Sequence, residues 1–204
     1  MDNLRFARQF LQHPRQLGTL FQSGRTLARK MAQEIGQSVQ VVEFGSGTGP
    51  VTREILRRLP KNGRLTCFEI NSEFCRRLRQ IGDPRLRVIN DDAVHCSRYV
   101  RRADCVISGL PLTLFDSRAR EAILAIAGRS GLYVQLQYTP ILGQDLRRHF
   151  SSVRLKFVAM NFPPAFLFVC RREGEVCEDA SPRHPFKSRS RGSRVLIDSD
   201  EGRS

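Results

Sequence analysis

Three carboxylates, each beside a turn, and one run of glycines could do chemistry in this sequence. The run is Glu43-Phe44-Gly45-Ser46-Gly47-Thr48-Gly49-Pro50, set between a strand-like stretch and a helical one. Glycines here let the backbone turn tightly and approach a ligand where side chains would collide. The helix that follows offers free N–H groups to a carboxylate or phosphate. The spacing is G-x-G-x-G, not the G-x-G-x-x-G of a dinucleotide site, and an acid two residues ahead repels pyrophosphate but suits an ammonium. Glu69, beside Ile70, ends the second strand-like stretch, where a carboxylate can take both hydroxyls of a ribose. Asp92-Ala93 follows the third, where an acid can receive the exocyclic amine of adenine. An ammonium, a ribose and an adenine in one molecule describe S-adenosylmethionine. The expected contacts are Glu43, Gly45, Ser46, Gly47 and Gly49 at its methionine end, Glu69 with Ile70 at the ribose, and Asp92 with Ala93 at the adenine. Ser108 is expected where the methyl group is presented.

The remaining reactive side chains read as structural. Cysteines at 67, 75, 96, 105, 170 and 177 form no C-x-x-C pair, and His13, His95, His149 and His184 lack zinc-ligand spacing. Buried, reduced thiols and no metal site are expected. A chain of 204 residues allows one domain of ordinary size, and 40% hydrophobic residues with 13 Phe can fill its core. No run approaches the roughly 20 apolar residues of a membrane-spanning helix, and the first residues lack the apolar stretch of a secretory signal. The chain is therefore expected neither to cross a bilayer nor to be exported. Its 34 Lys and Arg against 20 Asp and Glu give a net charge of +14, most of it between residues 41 and 170. Such a surface favours polyanions, either nucleic acid or an anionic membrane face.

Positioning these groups requires a sheet. Strand-like runs at 39–44, 64–70, 85–90, 104–108 and 132–138 alternate with helical patterns at 50–59, 73–81, 94–101 and 117–128. This alternation predicts βαβ units and a parallel sheet. The runs 153–160 and 165–171 are joined by Asn161-Phe162-Pro163-Pro164, a link short enough to permit an antiparallel pair alone. The expected fold is an open α/β sheet of seven strands, mostly parallel, with a reversed last strand at the edge and helices on both faces. Ahead of it, Leu4, Phe6, Phe10 and Leu11 share one side of a helix over 3–12, with Arg5 and Arg8 beside them. A second helix is expected to start at Ser23 as N-cap and stop at Gly36. The expected division is a helical segment 1–36, a catalytic domain 37–172 and a disordered tail 173–204.

The glycine turn, the acid ending strand two and the reversed last strand together resemble Class I S-adenosylmethionine-dependent methyltransferases, over about residues 39–171. A narrower resemblance is to bacterial phospholipid N-methyltransferases, which methylate phosphatidylethanolamine. It is carried by Leu17-Gly18 through Ser23, Leu27-Ala28-Arg29-Lys30-Met31-Ala32, Glu43 through Gly49, and Phe68-Glu69-Ile70-Asn71 with Glu73-Phe74. It continues in Ser108-Gly109-Leu110-Pro111-Leu112, Gln135, Gln137-Tyr138, Pro140 and Asn161-Phe162-Pro163-Pro164-Ala165. The chain departs from that family at Gln22-Ser23-Gly24 for Pro-Ser-Ser, at Ser46 for Pro and at Asp91 for Gly.

The resemblance implies a phospholipid acceptor bound by Ser23, Leu110, Pro111, Gln135 and Tyr138, with Arg25 and Arg29 toward its phosphate. Tyr138 and Ser108 are the expected catalytic residues. It also implies a peripheral enzyme on the cytoplasmic face of the membrane; the 3–12 helix either packs on the sheet or, with Arg5 and Arg8 as flanking charges, lies in the anionic bilayer interface as its anchor. Phe162, Pro163 and Pro164 are either a second lipid-facing lip or a rigid turn. RNA adenine dimethyltransferases share the sheet but carry an aromatic that stacks on the flipped base, where this chain has Leu112. RNA adenine N6-methylation is thus the alternative, favoured by charge and opposed by Leu112. A silent lipid- or RNA-binding module would not need Glu43, Glu69 and Asp92.

Overall fold

The computed structural model describes residues 20–159 and 164–172. The expected helix over 3–12, Phe162-Pro163 and the expected tail 173–204 lie outside the described residues. In chain order the elements are α1 (Leu20–Gln33), β1 (Gln40–Phe44), α2 (Pro50–Arg58), β2 (Arg64–Phe68), α3 (Ser72–Arg79), β3 (Leu86–Ile89), a 3-10 turn (Ala93–Arg98) and β4 (Cys105–Ser108). A second 3-10 turn (Leu112–Leu114) and α4 (Ser117–Ala127) lead to β5 (Leu132–Gln137). A third turn (Pro140–Leu142), α5 (Gly143–Arg147), β6 (Ser152–Val158) and β7 (Ala165–Arg171) follow.

The sheet has the order β3-β2-β1-β4-β5-β7-β6. β1 to β5 pair in parallel, and β7 runs antiparallel to both β5 and β6. The reversed strand therefore lies inside the sheet, and the edge expected for it belongs to β6. Burial explains the swap. β7 is apolar almost throughout and buried, whereas β6 alternates Val153, Leu155 and Phe157 with Arg154 and Lys156 and is mostly exposed. Charged residues suit a strand with one unpaired edge.

Two apolar layers sandwich the sheet. Leu27, Met31 and Ile35 from α1 and its C-terminal turn pack with Ile55 and Leu56 of α2 on one face, over Val41, Leu65, Ile107 and Val134. On the other face Ile123, Leu124 and Ala127 of α4 and Leu146 of α5 cover Val42, Phe44, Val106 and Tyr133. α1 starts at Leu20, so Ser23 is its fourth residue and not its N-cap; Gly36 does mark the stop, at φ 55°. The helix expected over 94–101 is a short 3-10 turn. Among the described residues, no helix is long and apolar enough to cross a membrane. Cys67, Cys75, Cys96, Cys105 and Cys170 are buried free thiols, as expected. Burial pushes Cys96 up to about 11 and Cys170 up to about 12.

One polar contact fixes the start of the central strand. Asp104 Oδ2 accepts from Val39 N–H at 2.9 Å and from Gln40 N–H at 2.8 Å. The Asp104 backbone also donates to Gln40 O and accepts from Leu132 N–H. Replacement by alanine leaves two N–H groups without their acceptor, a loss of about 1–3 kcal/mol. We predict that Asp104→Ala lowers the unfolding free energy measured by urea titration by that margin, whereas Asp104→Asn, which keeps one acceptor oxygen, loses less.

Candidate active site

Loops leaving the C-terminal ends of parallel strands share one edge of the sheet, and β1 lies between β2 and β4, where the crossovers diverge. At this gap two loops interlock. Gly109 N–H donates to Phe44 O at 3.0 Å, and a Cβ on Gly45 would stand 2.8 Å from Leu110 Cδ2. Gly45, Gly47 and Gly49 all have positive φ, at 72°, 54° and 83°. At Gly47 a Cβ would meet nothing within 4 Å, so this part of the turn faces open space. Glycine there serves the backbone conformation, and the space beside it can take a ligand. α2 begins at Pro50 with no side-chain N-cap, leaving first-turn N–H groups for an anionic group such as a carboxylate.

Glu69 is 6% exposed, and both of its carboxylate oxygens are engaged by backbone. Oε2 accepts from Gly47 N–H at 2.9 Å and Oε1 from Asn71 N–H at 2.8 Å. Each oxygen retains a lone pair for a ribose hydroxyl. The carbonyls of Glu69 and Ile70 are in turn held by Asn90 Nδ2 at 2.9 and 3.0 Å. Asp92 caps the 3-10 turn through Val94 N–H at 3.1 Å, and Ala93 opens that turn, buried. Beside it Asp91 accepts from Tyr99 Oη at 2.7 Å and lies 2.8 Å from His95 Nδ1. Those two hydrogen bonds, His95 first, hold the Asp91 carboxyl down to about 2.

Glu43 sits beneath the turn, with Oε2 accepting from Thr52 Oγ1 at 2.7 Å and from Cys67 Sγ at 3.1 Å. Burial pushes its carboxyl up against these hydrogen bonds. It braces β1 against α2 and β2, and the expected contact with an ammonium is not its principal engagement. Ser46 Oγ is buried next to it, near enough to act on its pKa but without a hydrogen bond of ordinary geometry. An unpartnered hydroxyl in a turn that opens on free space fits a site built for a polar ligand.

The wall after β4 differs from expectation in two places. Ser108 is fully buried and its Oγ accepts from Leu110 N–H at 3.3 Å, so it shapes the loop and has no catalytic reach. Gln135, also fully buried, does not line an acceptor pocket. Its Nε2 donates to Leu110 O at 2.9 Å, while its Oε1 accepts from Tyr133 Oη. Gln137 Nε2 reaches the same carbonyl at 3.2 Å. The two glutamines clamp Leu110 and Pro111 as a fixed wall beside the glycine turn. Tyr138, directly after β5, is 44% exposed at this edge. Arg25 and Arg29 lie on α1, over the face opposite the layer that supports Leu110 and Leu112. The structure does not bring them to that wall. Ser23 is in α1, and its side chain is outside the described residues.

The sequence reading missed two positioning residues. Asn90 was counted as the end of a strand, and a polar residue directly after β3 was its signal. Arg53 donates from Nη1 to Thr48 O at 2.8 Å and Gly49 O at 3.0 Å, reaching back one helical turn to the glycines. Glu69 carries the sharpest expectation. We predict that Glu69→Ala weakens S-adenosylmethionine binding at least about tenfold in calorimetry while the far-UV circular dichroism stays intact, since a charged hydrogen bond is worth about 1.5–3 kcal/mol. Unchanged affinity would remove Glu69 from the ribose site.

Residues 41–130 match the family model described as a methyltransferase domain. An ornithine lipid N-methyltransferase from Singulisphaera acidiphila is 29% identical over 184 residues, covering 83% of this chain and 96% of that protein. Among solved structures, the magnesium protoporphyrin IX methyltransferase from Synechocystis, with S-adenosylmethionine bound, aligns at a TM-score of 0.59 and 13% identity. That alignment covers 80% of this chain and 84% of that one. The precorrin-6y C5,15-methyltransferase from Geobacter metallireducens aligns at 0.58 and 15% identity, covering 72% and 88%. The sheet order, the glycine turn with Glu69 beside it and the matching methyltransferase-domain model converge on one cofactor, S-adenosylmethionine, and the chain has the fold of the Class I S-adenosylmethionine-dependent methyltransferases.

Proposed function

We propose that the protein transfers methyl groups from S-adenosylmethionine to the amine of a membrane lipid head group. The observation that supports this most is the relative matched along nearly its whole length, an enzyme named for N-methylation of a lipid. Phosphatidylethanolamine is the head group expected from the sequence, and ornithine lipid is the one in the relative's name. Both offer a primary amine on a short flexible chain, so the reacting atom is the same.

S-adenosylmethionine, when bound, supplies an electrophilic methyl group on a sulfonium whose leaving group is a neutral thioether. What remains for the chain is alignment and exclusion of water. Glu69 and the glycine turn hold the donor, and Leu110 and Pro111, clamped by Gln135 and Gln137, form the wall against which the amine lines up. The amine must be neutral to attack; its proton leaves to water, and Tyr138, exposed at this edge, offers a hydroxyl that can hydrogen-bond and orient the amine. Large apolar side chains stay exposed around the same edge, Ile141 at 72% and Phe157 at 58%, which suits contact with lipid. With the amphipathic helix expected over 3–12 as its anchor, the enzyme works as a peripheral protein on the cytoplasmic face of the membrane.

The test offers methyl-labelled S-adenosylmethionine and full-length protein three acceptors in parallel: phosphatidylethanolamine vesicles, dispersed ornithine lipid and total RNA. Label in the organic phase is expected, and the better of the two lipids names the head group. Label in RNA alone would favour the adenine reading that the net charge of +14 supports, and would sink the lipid one. Deleting residues 1–12 is expected to reduce sedimentation with anionic vesicles; equal sedimentation would remove that helix as the anchor.

A further inference from the structure

Helices α1 and α2 flank a cleft of about 900 Å³ lined by Arg25, Arg29, Arg53, Arg57 and Arg58, with Glu54 as its one acid among the described residues. Glu54 is committed to Arg57 and Arg58. Burial raises its carboxyl, but the Arg58 hydrogen bond and the charges of Arg57, Arg58 and Arg29 hold it below the ordinary value. Arg53 spends one nitrogen on carbonyl oxygens of the glycine turn, which leaves its charge uncompensated. Arg25 and Arg29, one turn apart on α1, form no ion pair among the described residues, and Arg29 shares Glu54 with Arg57 and Arg58 at longer range. Five guanidinium groups around one acid repel each other, and an anion in the cleft relieves that repulsion.

We propose that this cleft binds the phosphate of an anionic phospholipid other than the methyl acceptor, and so holds the enzyme against the bilayer. The proposal rests on the lipid reading above. Guanidinium forks match phosphate oxygens two at a time. Among the described residues no aromatic side chain lines the cleft, whereas a site for single-stranded nucleic acid stacks bases on aromatics. Thr48 and Pro50 bring one end of the cleft to the C-terminal edge of the sheet. Leu114, Tyr138, Ile141 and Phe157 are exposed in the loops and strand end of that same edge. A bilayer lying there meets apolar side chains and presents head-group phosphate to the arginines together. The cleft is separate from the acceptor wall, because its helices pack on the opposite face of the sheet from the layer that includes Leu110 and Leu112.

The experiment is co-sedimentation of the full chain with vesicles of phosphatidylcholine alone and of phosphatidylcholine with phosphatidylglycerol. Wild type is expected to sediment with the phosphatidylglycerol vesicles and much less with the neutral ones. The Arg25→Gln/Arg29→Gln variant is expected to need at least about tenfold more lipid for half-binding, since each basic residue near an anionic surface is worth about 1 kcal/mol. Arg25→Lys/Arg29→Lys should retain most of the binding. S-adenosylmethionine affinity by calorimetry should be unchanged in both variants, which establishes that they fold. Equal sedimentation of wild type and the glutamine variant overturns the proposal, as does indifference to phosphatidylglycerol. Loss of binding to a fluorescent uridine oligonucleotide with vesicle binding intact also overturns it, by making the cleft a nucleic-acid site. Sedimentation is read without methyl transfer, so a failure to methylate lipid is a separate result.

Discussion

A single buried carboxylate ties the site together. Glu69 joins the turn after β1 to the start of α3 by accepting from Gly47 and Asn71. A charge so little exposed is tolerable because two backbone N–H groups solvate it and the N-terminus of α3 lies directly beyond. Around it the polar contacts form a chain of supports. Asn71 caps α3 through Glu73 and Phe74 N–H, Asn90 holds the carbonyls of Glu69 and Ile70, and Cys75 Sγ bonds Glu69 O. Donor-side geometry is thus set by β2 and its neighbours before any ligand arrives, which is the condition under which positioning can accelerate a displacement.

The proposed acceptor side is built differently. Its wall is a loop, not a strand, and loops keep their shape only when their carbonyls are satisfied. Leu110 O accepts from Gln135 Nε2, Gln137 Nε2 and Leu112 N–H, and Thr113 Oγ1 reaches Gln137 Oε1. The glutamines act from within β5, so the rigidity of the central sheet is passed to the loop. Little here resembles a general base. That suits a reaction whose electrophile is already activated and whose leaving group is neutral.

Much of this was legible in the residues. Alternating apolar strands and helices announced the parallel sheet, and the glycine spacing with its neighbouring acids announced the cofactor. What was not legible was direction. Ser108, Gln135 and Glu43 are polar residues at or near the ends of central strands, and their types alone suggest contact with a ligand. Gln135 and Gln137 share a face with Tyr133 by the two-residue period of a strand, so they turn to the loop that overlies that face. The hairpin after residue 150 gave antiparallel pairing but not which arm joins β5. The answer lay in composition, since the arm buried on both sides is the one without Arg154 and Lys156. The 3-10 turn at Ala93–Arg98 replaced an expected helix because the segment is short and is capped by Asp92 into a tight first turn.

The contact between Gly45 and Leu110 has a consequence for how such a protein can change over generations. A methyl group at 45 would collide with the Leu110 side chain, and the positive φ at 45 penalises any other residue as well. Leu110 is a residue of the proposed acceptor wall. A lineage that altered acceptor preference by enlarging residue 110 would press on the donor turn, and one that relaxed the donor turn would lose the surface it rests against. The two positions are therefore coupled through one contact, whereas Tyr138 and Ile141 are exposed, so a substitution there leaves the glycine turn undisturbed.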